Sequence, residues 1–101
     1  LQYKAVSDAA YFFAEGKAAY LVSKKENRKY LIDYSLDELE KQIDPNNFFR
    51  ISRKAIVGID SIAEIKGLVR TRMDVKLTQP AEVDLTVSRD RAQLFKEWLN
   101  K

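Results

Sequence analysis

From Phe48 to Ile62 the chain reads Phe-Phe-Arg-Ile-Ser-Arg-Lys-Ala-Ile-Val-Gly-Ile-Asp-Ser-Ile. β-Branched residues arrive in short pulses, at Ile51, Ile56, Val57, Ile59 and Ile62, and the cations Arg50, Arg53 and Lys54 interrupt them. Such side chains are stiff at χ1 and pack well on a pleated surface, so the stretch is expected as strand and turn. Its isoleucines and Val57 anchor a core, while its cations are held where an anion could meet them. Arg53 and Lys54 are neighbours, and neighbours on a strand face opposite ways. An unbroken strand would send Arg53 inward with Ile51 and leave Arg50, Ser52 and Lys54 on the other face. Burying Arg53 is costly, so the spacing predicts a bend or bulge near Ser52.

The same period of two recurs along the chain. Leu1–Val6 is expected as a short strand that begins abruptly. Ala10–Glu15 and Ala18–Ser23 flank Glu15-Gly16-Lys17, where glycine can take the positive φ of a hairpin turn. Both faces of Ala18–Ser23 are apolar, which suits a central strand. Lys29–Asp33 and Ser61–Lys66 are further strands. Val69, Thr71, Met73, Val75 and Leu77 alternate with Arg70, Arg72, Asp74, Lys76 and Thr78, the pattern of a long half-buried strand. After Gln79-Pro80, Glu82–Val87 repeats the alternation with Val83, Leu85 and Val87 inward.

Two short helices interrupt the strands. Ser35, three residues before Glu38, can form a capping box, and Tyr34 and Leu39 are placed for a hydrophobic staple. Leu36, Leu39 and Ile43 make the buried stripe of that helix, leaving Asp37, Glu38, Glu40 and Lys41 to water. The second helix starts at Ser88 as cap, with Asp90 in the first turn and Ala92, Phe95, Trp98 and Leu99 as its stripe. Strands, helix, strands, helix, without regular βαβ alternation, predict a mainly β fold and not a parallel doubly wound sheet.

At 101 residues the chain is expected as a single domain, 1–101, with one core. Its 46 % apolar and 33 % charged residues fit a soluble globular domain and not a disordered tail. Apolar runs such as Ala9–Ala14 are too short to span a bilayer, and Leu1–Val6 does not resemble a signal peptide, so no membrane partner is expected. The absence of cysteine removes disulfides and thiolate metal sites and is compatible with a cytoplasmic location. Histidine is also absent, which removes the commonest general base and zinc ligand. Gly16, Gly58 and Gly67 are too far apart for a phosphate-binding loop, and no serine sits in a Gly-x-Ser-x-Gly setting. Neither an enzyme, a cofactor nor a metal is therefore expected.

The net charge of +3 is modest, but its distribution is uneven. Between Asp33 and Asn47 five acids face Lys41 alone, a local net of −4 that leaves +7 for the rest. Segregation of this kind suits a domain that approaches a polyanion from one side; uneven scatter on a small domain is the plainer reading. Arg89 lies between a strand and a helix, so its guanidinium is expected to project from a loop, where it could fork to a guanine edge or a phosphate. Its other reading is a surface pair with Asp90. The candidates for contact with double-stranded DNA are thus Arg53 and Arg89, with Lys54, Arg50, Ser52, Lys17 and Arg91 beside them. Lys17 and the Arg70/Arg72 face are weaker candidates, for which plain solubilising charge is the favoured reading. Phe48, Phe49 and Trp98 have core spacing and are not expected to stack on bases. The rival function is a β-rich protein-interaction module that pairs through exposed strands.

Four motifs in order carry a family resemblance: Tyr11-Phe12-Phe13-Ala14-Glu15, Tyr34-Ser35-Leu36-Asp37-Glu38-Leu39, the Phe49–Ile62 run, and Val87-Ser88-Arg89. Together they resemble the LytTR-type DNA-binding domain of bacterial response regulators, over nearly the whole chain. The resemblance implies an elongated, mostly antiparallel β fold that inserts loops into successive major grooves. It implies base-reading positions at Arg53 and Arg89, with a weaker correspondence at Gly16–Ala19. It further implies a transcription factor behind a phosphorylated receiver domain, answering a sensor histidine kinase and binding paired repeats as a dimer. Ser52 stands where the family usually has histidine, and Gly58 where it has asparagine. Ala18 and Ala19 leave Lys17 as the one polar reader in the first hairpin. The family's first strand and any receiver domain are expected to lie upstream of Leu1, outside this chain.

Overall fold

Gly16 takes φ +62° between Glu15 and Ala18, closing a hairpin of β1 (Ala9–Glu15) and β2 (Ala18–Ser23). The computed structural model describes residues 5–67 and 72–100. β3 (Lys29–Ile32) pairs with β2 on one side, and β5 (Ala55–Gly58) pairs with β1 on the other. β4 (Phe48–Ser52) closes the sheet in the order β3-β2-β1-β5-β4, all neighbours antiparallel. β2 is an interior strand, as its apolar faces require. A second sheet holds β6 (Ile62–Lys66), β7 (Met73–Leu77) and β8 (Thr86–Val87) in chain order. The fold is mainly antiparallel β with two short α-helices, and its extents of 42 × 26 × 24 Å make it elongated.

Each face of the larger sheet buries its own cluster. On one face Phe12, Leu21 and Ile56 meet Leu36 and Leu39 of α1 (Leu36–Glu40). On the other, Tyr11, Phe13, Val22, Ile51 and Val57 pack with Met73, Val75, Leu85 and Val87 of the second sheet region and with Phe95 and Trp98 of α2 (Ala92–Leu99). Covering on both sides explains why β5 is buried at every position and reads as an unbroken apolar run. Phe49, Phe95 and Trp98 form one aromatic cluster with ring centroids 5.2–5.9 Å apart. The Trp98 indole N–H donates to the Pro45 carbonyl at 2.7 Å, so all three rings are scaffold.

The expected bulge is present. The β4–β5 register slips between Arg50 and Ser52, beside the buried Ile51, and frees the chain to bend at Ser52. The capping box at Ser35 is also complete, with the Ser35 hydroxyl accepting from the Glu38 N–H and the Glu38 carboxylate accepting from the Ser35 N–H. Tyr34, however, remains 47 % exposed, so the expected staple is not a buried one.

Other local expectations are corrected. Val6–Asp8 is a 3-10 turn and not the end of a strand, and residues 1–4 lie outside the described part. The long strand over 69–78 is seen as Met73–Leu77, residues 68–71 being outside the described part. The strand within Glu82–Val87 shortens to Thr86–Val87, with one further backbone bond from the Val75 N–H to the Leu85 carbonyl: Leu85 and Val87 are buried, but Val83 is only partly so. Ser88 does not cap a helix with its side chain. Its hydroxyl donates to the Ile51 carbonyl, and a 3-10 turn (Arg89–Arg91) precedes α2.

Candidate nucleic-acid interface

Antiparallel register decides which turns share an end of the molecule. Phe13 is opposite Ala55, so the hairpin turn after β1 and the turn before β5 leave the sheet on the same side. The Ala14 N–H donates to the Lys54 carbonyl at 2.9 Å, extending that pairing into the second turn. The Ser88 N–H donates to the Ile51 carbonyl at 2.8 Å, bringing the Ser88–Arg91 segment beside the same turn. A cavity of about 350 Å³ lies between them, lined by Ser52, Arg53, Lys54, Ser88, Asp90 and Arg91. A second of about 500 Å³ lies on the other flank, where Arg53 and Lys54 face Glu15, Gly16, Val83 and Asp84. One end of the protein thus carries the Gly16-Lys17 turn, the Arg53-Lys54 turn and the Arg89–Arg91 turn.

Lys17, Arg53, Lys54 and Arg89 are exposed there. Among the described residues neither the Arg53 nor the Arg89 guanidinium has an ion-pair or hydrogen-bond partner, so the expected alternative of an Arg89–Asp90 pair is not found. An unpaired exposed guanidinium keeps its donors free for an incoming anion. Ser52 is partly buried, and its hydroxyl accepts from the Lys54 N–H at 3.1 Å, tightening the turn. Arg70 lies outside the described residues, and Arg72 bonds to Asp74 and Thr86 on the second sheet.

Arg50 contradicts the expectation that it faces outward. Its side chain is 6 % exposed and its donors are used internally. Nε donates to the Ser52 carbonyl and Nη2 to the Arg53 carbonyl, each at 2.8 Å. Nη1 reaches Asp37 Oδ1 at 2.6 Å and Glu40 Oε1 at 3.0 Å. Alternation along β4 puts Arg50 on the same face as Phe48, the face that α1 covers, where two carboxylates meet its charge. The hydrogen bond from Arg50, and next its charge, hold the Asp37 carboxyl below its ordinary pKa. Arg91 is partly withdrawn too: Nη1 donates to the Arg50 carbonyl at 3.3 Å and lies 3.9 Å from Glu40 Oε2.

Asp37 and Glu40 were expected merely to face water. The sequence signal for their role is the acid excess of Asp33–Asn47 with only Lys41 inside it, which calls for a cation from another element. Gly58 also finds a place. It sits in β5 opposite Phe48, at the end of the strand away from the Arg53-Lys54 turn. A Cβ there would stand 3.1 Å from the Ala10 carbonyl oxygen and 3.2 Å from the Phe48 ring.

A β scaffold that presents cationic turns from one end, braced from behind by arginine–carboxylate bonds, has the charge arrangement that suits a polyanion. The chain belongs to the LytTr DNA-binding domain family, whose profile matches residues 3–100, and it is a DNA-binding domain. Over 94 residues it is 34 % identical to an uncharacterised response regulatory protein of Vibrio cholerae serotype O1, covering 91 % of this chain. The chain spans 35 % of that relative's length. Its fold is similar to the LytTr DNA-binding domain of a Bacillus cereus protein described as a methyl-accepting/DNA response regulator. That likeness has a TM-score of 0.82 at 24 % identity and covers 94 % of this chain and 84 % of the other. No helix among the described residues is long and apolar enough to cross a membrane.

Proposed function

We propose that the chain is the sequence-specific output domain of a bacterial transcriptional response regulator, and that its three cationic turns enter the major grooves of double-stranded DNA. Arg53 and Arg89 read base edges, Lys17 and Lys54 neutralise phosphates, and Ser52 and Arg91 support the turns they belong to. Arg50 acts from behind the surface. The observation that carries this reading is the backbone bond between Ser88 and Ile51, which brings the Arg53 and Arg89 segments to one end of a single scaffold. The relative named a response regulatory protein supports a receiver domain elsewhere in the full protein; a sensor histidine kinase upstream and a cytoplasmic location are further parts of the proposal. Binding as a dimer on paired repeats completes the proposal.

A gel-shift titration with salt tests it. Lysine and arginine on phosphates release counterions, so log affinity should fall linearly with log salt, by roughly 0.9 for each phosphate neutralised. A duplex selected from a random pool should outcompete a scrambled one at every salt concentration. Equal binding to all duplexes contradicts sequence reading. Binding to no duplex at low salt returns the chain to the protein-interaction module.

A further inference from the structure

Glu40 stands between the two arginine-bearing turns. One carboxylate oxygen, Oε1, accepts from Arg50 Nη1 at 3.0 Å, and the other, Oε2, lies 3.9 Å from Arg91 Nη1. Arg50 holds the carbonyls of Ser52 and Arg53, and Arg91 belongs to the turn that begins with Arg89. One side chain on α1 thus touches the support of both DNA-facing turns, while it is itself 44 % exposed and points no donor outward.

Resting on the function proposed above, we infer that Glu40 is a positioning residue for DNA reading: it fixes the spacing between the Arg53 and Arg89 turns and thereby favours discrimination between sequences. Base-edge hydrogen bonds demand that two separated guanidinium groups meet two separated base pairs at once, which a loose relative placement of the turns defeats. Phosphate attraction is tolerant of such looseness. Charge and geometry therefore oppose each other at this position. As a negative charge near the cationic end, Glu40 repels every duplex alike, so its neutralisation raises affinity in general. As the shared partner of Arg50 and Arg91, it favours only the duplex that matches both turns.

The test measures the ratio of scrambled to selected duplex dissociation constants for the wild-type chain, Glu40→Gln and Asp33→Asn. Asp33 is an exposed acid of the same acidic stretch, outside this network, so its variant controls for charge alone. Asp33→Asn should leave the ratio unchanged. Glu40→Gln should lower it about three- to thirty-fold, with binding to the scrambled duplex retained or strengthened. Melting curves for both variants confirm that the compared chains are folded. An unchanged ratio in Glu40→Gln, with wild-type discrimination intact, overturns the inference and leaves the DNA-reading proposal standing. If the wild-type chain discriminates among no duplexes, that proposal fails and the inference goes with it.

Discussion

The Ser88 N–H and the Ile51 carbonyl oxygen are 2.8 Å apart, and the Ser88 hydroxyl reaches the same oxygen at 3.3 Å. Residues far apart in the chain are thereby joined where β4 begins to bulge, and the cationic turns that follow each of them become neighbours. A rigid frame for two readers is the structural basis of the proposed DNA contact.

Arg53→Ala and Arg89→Ala should each lower discrimination between selected and scrambled duplexes by about ten-fold or more, because each would lose a forked bond to a base edge. Competition binding measures this. Equal loss on both duplexes would mark the altered residue as a phosphate contact.

Arg50→Met should destabilise the fold by about 1.5–3 kcal/mol, the usual worth of hydrogen bonds made by a charged donor. The apolar stem is kept, but the Ser52 and Arg53 carbonyls lose their donor. Urea unfolding reads the difference, and a change below about 0.5 kcal/mol, the range of ordinary surface substitutions, would show that Arg50 does not brace the turn.

Acid should weaken the fold through Asp37 and Asp74. Asp37 is held below its ordinary pKa of 3.8 chiefly by its hydrogen bond from Arg50, and Asp74 below the same value chiefly by its hydrogen bond from Thr86. A carboxyl whose pKa is lower folded than unfolded stabilises fully above its unfolded value and loses that contribution as pH falls through the folded one. The relevant window therefore opens just below pH 3.8 and extends downward. Asp37→Asn and Asp74→Asn should each flatten the acid limb of a stability–pH curve. A limb unchanged in both variants would refute the assignment.

Gly58→Ala should cost about 1–3 kcal/mol, since the added methyl meets the Ala10 carbonyl on one side and the Phe48 ring, packed on Phe12, on the other. Its DNA selectivity should be unchanged, because the site is at the far end of β5. Thermal melting and competition binding check the two halves separately.

Where a structure follows from neighbouring residues, the sequence disclosed it. Ser35 and Glu38 announce their capping box by spacing alone, and the Arg53-Lys54 pair forces a bulge because one strand face is core. Gly16 marks its hairpin for the same local reason. Arg50 was illegible because its direction depends on α1 lying against the edge of a sheet, a fact of tertiary packing. Nor does alternation alone tell that only Thr86 and Val87 join β7 in a strand. Ser88 has the residue type of a cap, yet the nearby Ile51 carbonyl takes its hydroxyl first.

Backbone amide shifts of the isotopically labelled chain, followed as a selected duplex is added, probe the proposed surface residue by residue. The largest changes should fall on Gly16–Ala18, Ser52–Lys54 and Ser88–Arg91, together and at one stoichiometry. Changes centred instead on the β3 edge around Leu31 or on the exposed side of α2 around Leu94, with these three turns unmoved, would contradict DNA reading from this end of the fold.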